Sequence, residues 1–333
     1  MRVLVTGGAG YIGAVLVPTL LERGYDVRVV DLGLFGTGHL PPEAELIRAD
    51  VIDFDDAWLE DVDAVIHLAG LSNDPMADFS PRLNYLYNAA SAAIAAHAAR
   101  AAGVGRFVLA SSCSVYGLND AAEVDEDHPV SPRFPYAVSK LMAERALLCL
   151  ADDTFHPIIL RKGTVVGWSP RMRYDLAANV MLKTALTQSK ITVHNPSLWR
   201  PFIDVRDVAN AYVRALDAEP ALEGIFNIAL DNFTIGRLAD AVAATLRERG
   251  ILVPVEIQRR RDLRSYRVSL RKARELLDFR ASISMEESVG VMLDHVTRDE
   301  QADFENLIYS NVDWLRANIA SLNPLERLQA AGS

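Results

Sequence analysis

Cysteine is nearly missing from this chain: Cys113 and Cys149 are the only two among 333 residues. Two are too few for a disulfide framework and suit a reducing compartment. No apolar run approaches the roughly 20 residues that a membrane-spanning helix needs. Met1 leads directly into "RVLVTGG", without the charged, apolar and cleavage regions of a secretory signal. Positive charge is in deficit, with 34 Lys and Arg against 44 Asp and Glu and a formal charge of -10, so the field around the molecule repels polyanions. Internal repeats are lacking. These absences argue against a membrane or nucleic-acid partner and lead to the expectation of a cytoplasmic protein without a metal site.

What is present is a globular composition, 50% hydrophobic and 23% charged, in a chain long enough for about two domains. Short apolar runs at 2–6, 26–31, 44–50, 63–70 and 106–112 alternate with longer helical stretches, and a sixth strand is expected at 156–161. Strands apolar on both faces imply a parallel sheet covered by helices on either side. The spacing predicts one long alanine-rich helix over 81–103, stopped by Gly103, and another over 136–150. Beyond Gly163 the pattern loosens: strands are expected at 191–195, 201–205, 224–230 and 253–258, and helices at 206–217, 234–249, 286–297 and 303–320. The fold class is therefore α/β, a doubly wound Rossmann sheet over 1–163 to which 201–230 returns. A smaller mixed α/β substrate domain occupies most of 164–333.

"TGGAGYIG" sets Gly7, Gly10 and Gly13, with Tyr11 and Ile12, between the first strand and the first helix. The glycines allow a tight turn and close approach to a pyrophosphate, and the helix N-terminus aims free N–H groups and partial positive charge at it. Asp31, at the end of strand 2, stands where a carboxylate accepts hydrogen bonds from an adenine ribose. It would repel the extra phosphate of NADP, and no arginine follows it directly, so NAD is the expected cofactor. Asp50 and Val51 after strand 3 are expected beside the adenine, and Leu68, Ala69 and Gly70 after strand 4 along the dinucleotide cleft. Pro18, which lacks a backbone donor, predicts a kink in the first helix.

In "PYAVSK", Tyr136 and Lys140 are four residues apart and share a helix face. A nearby ammonium favours the phenolate and draws a tyrosine toward the working range of a base. The pair alone also suits an idle helix surface. "SSCSVYG", 111–117, changes the balance by bringing hydroxyls, including Ser112 and Ser114, to the C-terminal end of strand 5, where open parallel sheets bind ligands. Arg171 and Arg173 in "SPRMRYD" are candidates for an anionic part of the substrate.

Together with "HLAG", "LRKGTVVG" and "WRPFIDVRDVA", these pieces make the chain resemble the extended short-chain dehydrogenase/reductase family, in its nucleotide-sugar epimerase and dehydratase branch. The resemblance implies Tyr136 as acid/base, Lys140 as the group that holds the nicotinamide ribose and lowers the tyrosine pKa, and Ser112 as the hydroxyl partner. It further implies Asn88 in the cofactor domain, Arg200 and Asn179 on the substrate diphosphate, and Arg259 and Asp262 on phosphate and nucleoside ribose. Ser72 stands where galactose epimerases of the family carry a lysine, and Thr164 where many members have asparagine; both are expected to face substrate. Cys113-Ser114 replaces the Asp-Glu of the family's 4,6-dehydratases, which disfavours dehydration. The implied activity is epimerisation of a nucleotide sugar, most simply at C4. A 4-keto-sugar reductase and a non-catalytic dinucleotide-binding protein are the alternatives. Pairing of helices 81–103 and 136–150 with their copies implies a homodimer.

Overall fold

The computed structural model describes residues 1–119, 123–258, 265–298 and 303–319. Its centre is a seven-stranded sheet of β1 (Arg2–Thr6), β2 (Asp26–Asp31), β3 (Glu45–Arg48), β4 (Ala64–His67), β5 (Arg106–Ser112), β6 (His156–Lys162) and, from far along the chain, Gly224–Ile228. Between them in sequence come β7 (Thr164–Val166), β8 (Ile191–His194) and β9 (Trp199–Asp204), so Gly224–Ile228 is β10; β11 (Asp231–Thr234) and β12 (Val255–Gln258) follow. The large sheet is parallel throughout in the order β10-β6-β5-β4-β1-β2-β3. The order reverses between β1 and β4, so connections leave these neighbours in opposite directions and open a crevice beyond their C-terminal ends.

Both faces are covered because the strands carry apolar side chains on both. On one face Val3, Val5 and Ile66 meet Leu16, Val17 and Leu20 of α1 (Gly13–Glu22), and on the other Leu4, Val65, Phe107 and Leu109 pack against an alanine-lined helix. A fully buried leucine or isoleucine contributes about 1.5–3 kcal/mol by leaving water, so these clusters hold the sheet level beneath the crevice. α1 runs unbroken through Pro18, with Thr19 donating its hydroxyl to the Val15 carbonyl at 2.7 Å.

The helix expected over 81–103 is divided. α2 (Asp74–Phe79) precedes it, α3 (Pro81–Tyr85) starts on a Ser80 cap, Leu86–Ala90 form a π-helical turn, and α4 (Ser91–Ala101) completes it. A π turn widens the backbone locally and is frequent beside functional sites; this one contains Asn88. α5 (Pro135–Leu148) begins with proline at its first position, where the missing N–H costs nothing.

The second lobe contains α6 (Ala177–Gln188), which sequence patterning missed, and a three-stranded sheet in the order β11-β9-β7. β9 thus joins this small sheet. The segment 201–230 is shared: its first strand belongs to the small sheet, while α7 (Val205–Asp217) packs in the core beside α1 and β10 completes the large sheet. α8 (Ile235–Glu248), α9 (Arg271–Leu276) and α10 (Met285–Arg298) follow. α11 (Asn311–Asn318), shorter than expected, places Leu315 in a cluster with Val51, Leu71 and Tyr87 of the first lobe. No helix among the described residues is long and apolar enough to cross a membrane.

Candidate active site

A cleft of about 560 Å³ runs over the crevice and between the lobes. At one end lies the glycine-rich turn. Gly7 has φ +73°, and a Cβ there would lie 2.6 Å from the Ala69 nitrogen; one on Gly13 would lie 2.5 Å from the Gly8 Cα. Neither position admits a side chain. Asp31 closes this end, accepting from the backbone N–H groups of Ala9 at 3.0 Å and Gly33 at 2.8 Å. Burial pushes its carboxyl pKa up, while those two N–H groups and the charges of His39 and Arg171 oppose the shift.

Gly7, Gly10, Tyr11, Ile12, Gly13, Asp31, Val51, Leu68, Ala69 and Gly70 line the cleft. Asp50 and Asn88 stand behind the wall. Asp50 accepts from the Tyr87 hydroxyl at 2.7 Å and the Ile52 N–H at 3.0 Å. Asn88 donates from Nδ2 to Leu71 O and Asn84 Oδ1, and its Oδ1, without a hydrogen-bond partner among the described residues, abuts Gly70. It shapes the Gly70–Leu71 turn instead of facing the cleft.

Ser112, Ser114, Tyr136 and Lys140 line the middle of the cleft. Ser112 ends β5 and caps the following turn, accepting from the Ser114 N–H at 3.2 Å; the Ser114 hydroxyl is buried with no partner among the described residues. Lys140 lies one helical turn along from Tyr136, its ammonium 5.9 Å from the ring centroid and without a hydrogen-bond partner among the described residues. Burial lowers its pKa to about 8, and the Glu144 carboxylate holds it from falling further. The expected lowering of the tyrosine pKa by this lysine does not appear. Burial first, and the Asp74 charge second, push the Tyr136 phenol up, against smaller opposing effects of Arg173 and Ser112.

α5 is bolted to the sheet by a buried ion pair. Arg161 on β6 reaches Glu144 with Nη2 at 2.7 Å and Nε at 3.0 Å, Ser111 donates to the same carboxylate, and Arg161 also donates to the Tyr116 hydroxyl at 2.9 Å. This network fixes the rotation of the helix that presents Tyr136 and Lys140. Cys113 lies beneath it, wholly buried, its thiol bonded to the Arg161 carbonyl and pushed far up by burial, so it is an inert packing residue.

Several cleft residues escaped sequence reading, among them Tyr266 and Lys162. Lys162, at the end of β6 directly opposite Ser112, donates to the Ser111 carbonyl at 2.8 Å and lines the cleft beside Lys140. Burial, with help from the Lys140 charge, lowers its pKa to about 7. A lysine at the C-terminal end of a parallel strand, where such sheets bind ligands, was the available signal.

At the far end Thr164, Arg200 and Tyr266 line the wall, with the Arg200 guanidinium 5.2 Å from the Tyr266 ring centroid. Arg173 donates in a fork to Asp175 at 2.8 Å and to Ser72 at 2.8 Å. Asn179 does not reach the cleft, contrary to the sequence expectation. It is wholly buried, accepting from the Gly167 N–H at 3.2 Å and donating to the Arg173 carbonyl at 2.8 Å and the Tyr11 hydroxyl at 3.3 Å. Its amide saturates loop polar groups and ties that loop to the glycine-rich turn. Arg259 and Asp262 lie outside the described residues.

A glycine-rich turn closed to side chains, a carboxylate at the end of β2 and a Ser-Tyr-Lys trio share one crevice, an arrangement that suits an enzyme using a dinucleotide to work on an alcohol or carbonyl. Comparison with known proteins narrows the class. A family model described as the NAD dependent epimerase/dehydratase family matches residues 3–229. The putative UDP-glucose 4-epimerase of Methanocaldococcus jannaschii is 30% identical over 297 residues, covering 86% of this chain and 95% of that protein. Among solved structures, MoeE5 in complex with UDP-glucuronic acid and NAD superposes with a TM-score of 0.79 at 28% identity, covering 90% of this chain and 99% of that one. The UDP-glucose 4-epimerase of Thermus thermophilus in complex with NAD gives 0.78 at 27% identity, covering 90% of this chain and 100% of its own. The chain belongs to the NAD-dependent epimerase/dehydratase family, and NAD is its cofactor. The glycine positions closed to side chains, the Asp31 carboxylate and the uncommitted Lys140 ammonium all fit that dinucleotide.

Proposed function

We propose that the protein interconverts nucleotide-activated sugars epimeric at C4, through a transient keto sugar. What carries this reading is the sharing of one cleft by Ser112, Tyr136 and Lys140 on the cofactor side and by Thr164, Arg200 and Tyr266 on the other. The first group suits proton transfer at a secondary alcohol, the second the anchoring of an anionic nucleotide some distance from the reacting carbon. The proteins named above, described as UDP-glucose 4-epimerases or bound to UDP-glucuronic acid, favour the same substrate class.

Tyr136 Oη removes the proton of the sugar hydroxyl and later returns it, while Ser112 holds that hydroxyl in line. When bound, NAD would supply the hydride acceptor and donor, and its positive ring would favour the Tyr136 phenolate against the burial that pushes the phenol up. Lys140, with its ammonium uncommitted, suits a hydrogen-bonding role at the cofactor ribose. Elimination lacks an acid: the positions after Ser112 hold the buried, inert Cys113 and the neutral Ser114. We assign 1–163 with the returning β10 to cofactor binding and the second lobe mainly to the substrate. Ile94 on α4 and Met142 and Leu148 on α5 are 39%, 50% and 38% exposed, an apolar face suited to a homodimer in the cytoplasm.

Incubation with UDP-glucose, UDP-glucuronic acid or UDP-arabinose, without added cofactor, is expected to produce the C4 epimer with no net change in absorbance from reduced NAD. Stoichiometric consumption of added NADH would replace this reading with a ketoreductase. Absence of turnover on every sugar nucleotide would replace it with a non-catalytic dinucleotide-binding protein. Sedimentation as a monomer would remove the dimer.

A further inference from the structure

Arg171 is a buried cation with no counter-ion among the described residues. It sits in the loop after β7, outside the main dinucleotide lobe, and is 4% exposed. Its guanidinium lies 3.7 Å from the centroid of Phe35, a ring only four residues beyond Asp31 that also packs against Trp314 of α11. Nη2 donates to Asn311 Oδ1 at 2.6 Å and Nη1 to the Met172 carbonyl at 3.1 Å, while Nε has no partner among the described residues. The acids whose charges reach it are engaged elsewhere, Asp175 by Arg173 and Asp31 by the N–H groups of Ala9 and Gly33. Arg173 adds a like charge, and burial together with that neighbour lowers the Arg171 pKa to about 9. A guanidinium does not solve such a conflict by losing its proton at neutral pH; it requires an anion.

We propose that Arg171 is a ligand of the cofactor's pyrophosphate, reaching over from the second lobe to clamp the dinucleotide against the glycine-rich turn. A diphosphate is the anion class that a forked, planar cation matches. Cofactor and substrate both carry one, and the surroundings decide between them. Arg171 stands over Phe35 and beside Asp31, at the adenosine end, whereas Arg200 stands across the cleft against Tyr266. Phe35 and Asn311 orient the guanidinium, so α11 supports cofactor retention through it. The clamp is independent of which sugar reacts.

Arg171→Met tests this with two ligands measured separately. The purified variant is expected to retain far less NAD, read by chromatography after denaturation. Calorimetric titration of stripped protein with NAD should show binding weakened about 10- to 100-fold, the range for losing a charge-assisted hydrogen bond. Titration with UDP alone, the probe for the substrate site, should change less than about threefold, within the effect of an exposed charge. Arg171→Lys, which keeps the charge but not the fork, should lose NAD affinity to an intermediate degree, and it decides the matter if the methionine variant does not fold. Unchanged NAD affinity with weakened UDP binding would reassign Arg171 to the substrate. Unchanged affinity for both would reduce it to a structural cation, and either result overturns the proposal.

Discussion

Replacing Glu144 with glutamine removes one charge from the interior and almost nothing of its shape. The carboxylate is 1% exposed and is held by Arg161, itself 2% exposed, and by Ser111. An amide offers one acceptor oxygen where the carboxylate offers two, and it leaves the guanidinium without a counter-charge. Breaking a buried pair in this way costs about 3–5 kcal/mol, against about 5–15 kcal/mol for the stability of a typical protein. With a urea slope of about 3 kcal/mol/M, the midpoint should drop by more than about 1 M. A second readout comes from Lys140, one helical turn before Glu144. The Glu144 charge opposes the burial that lowers the Lys140 pKa to about 8, so in the variant that pKa falls further. In the role proposed for Lys140 it must be an ammonium, so activity should be lost as pH rises through its pKa. The alkaline limb of kcat/KM should therefore move to lower pH. An unchanged urea midpoint would refute the assignment of the pair as a stabilising bolt. An alkaline limb that stays in place or moves upward would refute its coupling to the reaction centre.

Lys162→Met should leave the alkaline limb in place, because Lys162, its pKa lowered to about 7 chiefly by burial, is already largely neutral where Lys140 titrates at about 8; a limb displaced to higher pH in the same profile would refute that reading. Tyr136→Phe should retain bound NAD yet lose about 10²- to 10⁴-fold in kcat, the usual contribution of a positioned acid/base; full activity would remove Tyr136 from the chemistry. Gly13→Ala forces a methyl to 2.5 Å from the Gly8 Cα and should abolish NAD retention, measured by chromatography of the denatured protein. Asn179→Ala should cost about 1–3 kcal/mol in urea unfolding by orphaning the Gly167 N–H and its neighbours. Its KM should change little, and a large rise in KM with unchanged stability would restore Asn179 to the substrate.

Much of the nucleotide lobe was legible from residues alone because its signals are local. Buried parallel strands are short apolar runs, and a glycine-rich turn between strand and helix has few other purposes. β5 appears with the expected bounds, Arg106–Ser112. Helix division was less legible. Alanine propensity over 81–103 reads as one rod, whereas the close contacts of Asn84 and Asn88 with Pro135 and Leu71 accompany a π turn that propensity does not encode.

The local pattern by itself determined the glycine-rich strand-turn-helix, the Asp31 carboxylate at the end of β2, and the shared helix face of Tyr136 and Lys140. Only the tertiary structure decided which charged side chains face the cleft. It turned Asn179 inward, brought Lys162 beside Lys140, set Arg171 over Phe35, and made burial and the Asp74 charge the main influences on the Tyr136 phenol. The reason is physical: hydrogen-bond geometry and backbone turns are properties of neighbouring residues, whereas desolvation and charge pairing depend on which distant segments the folded chain stacks together.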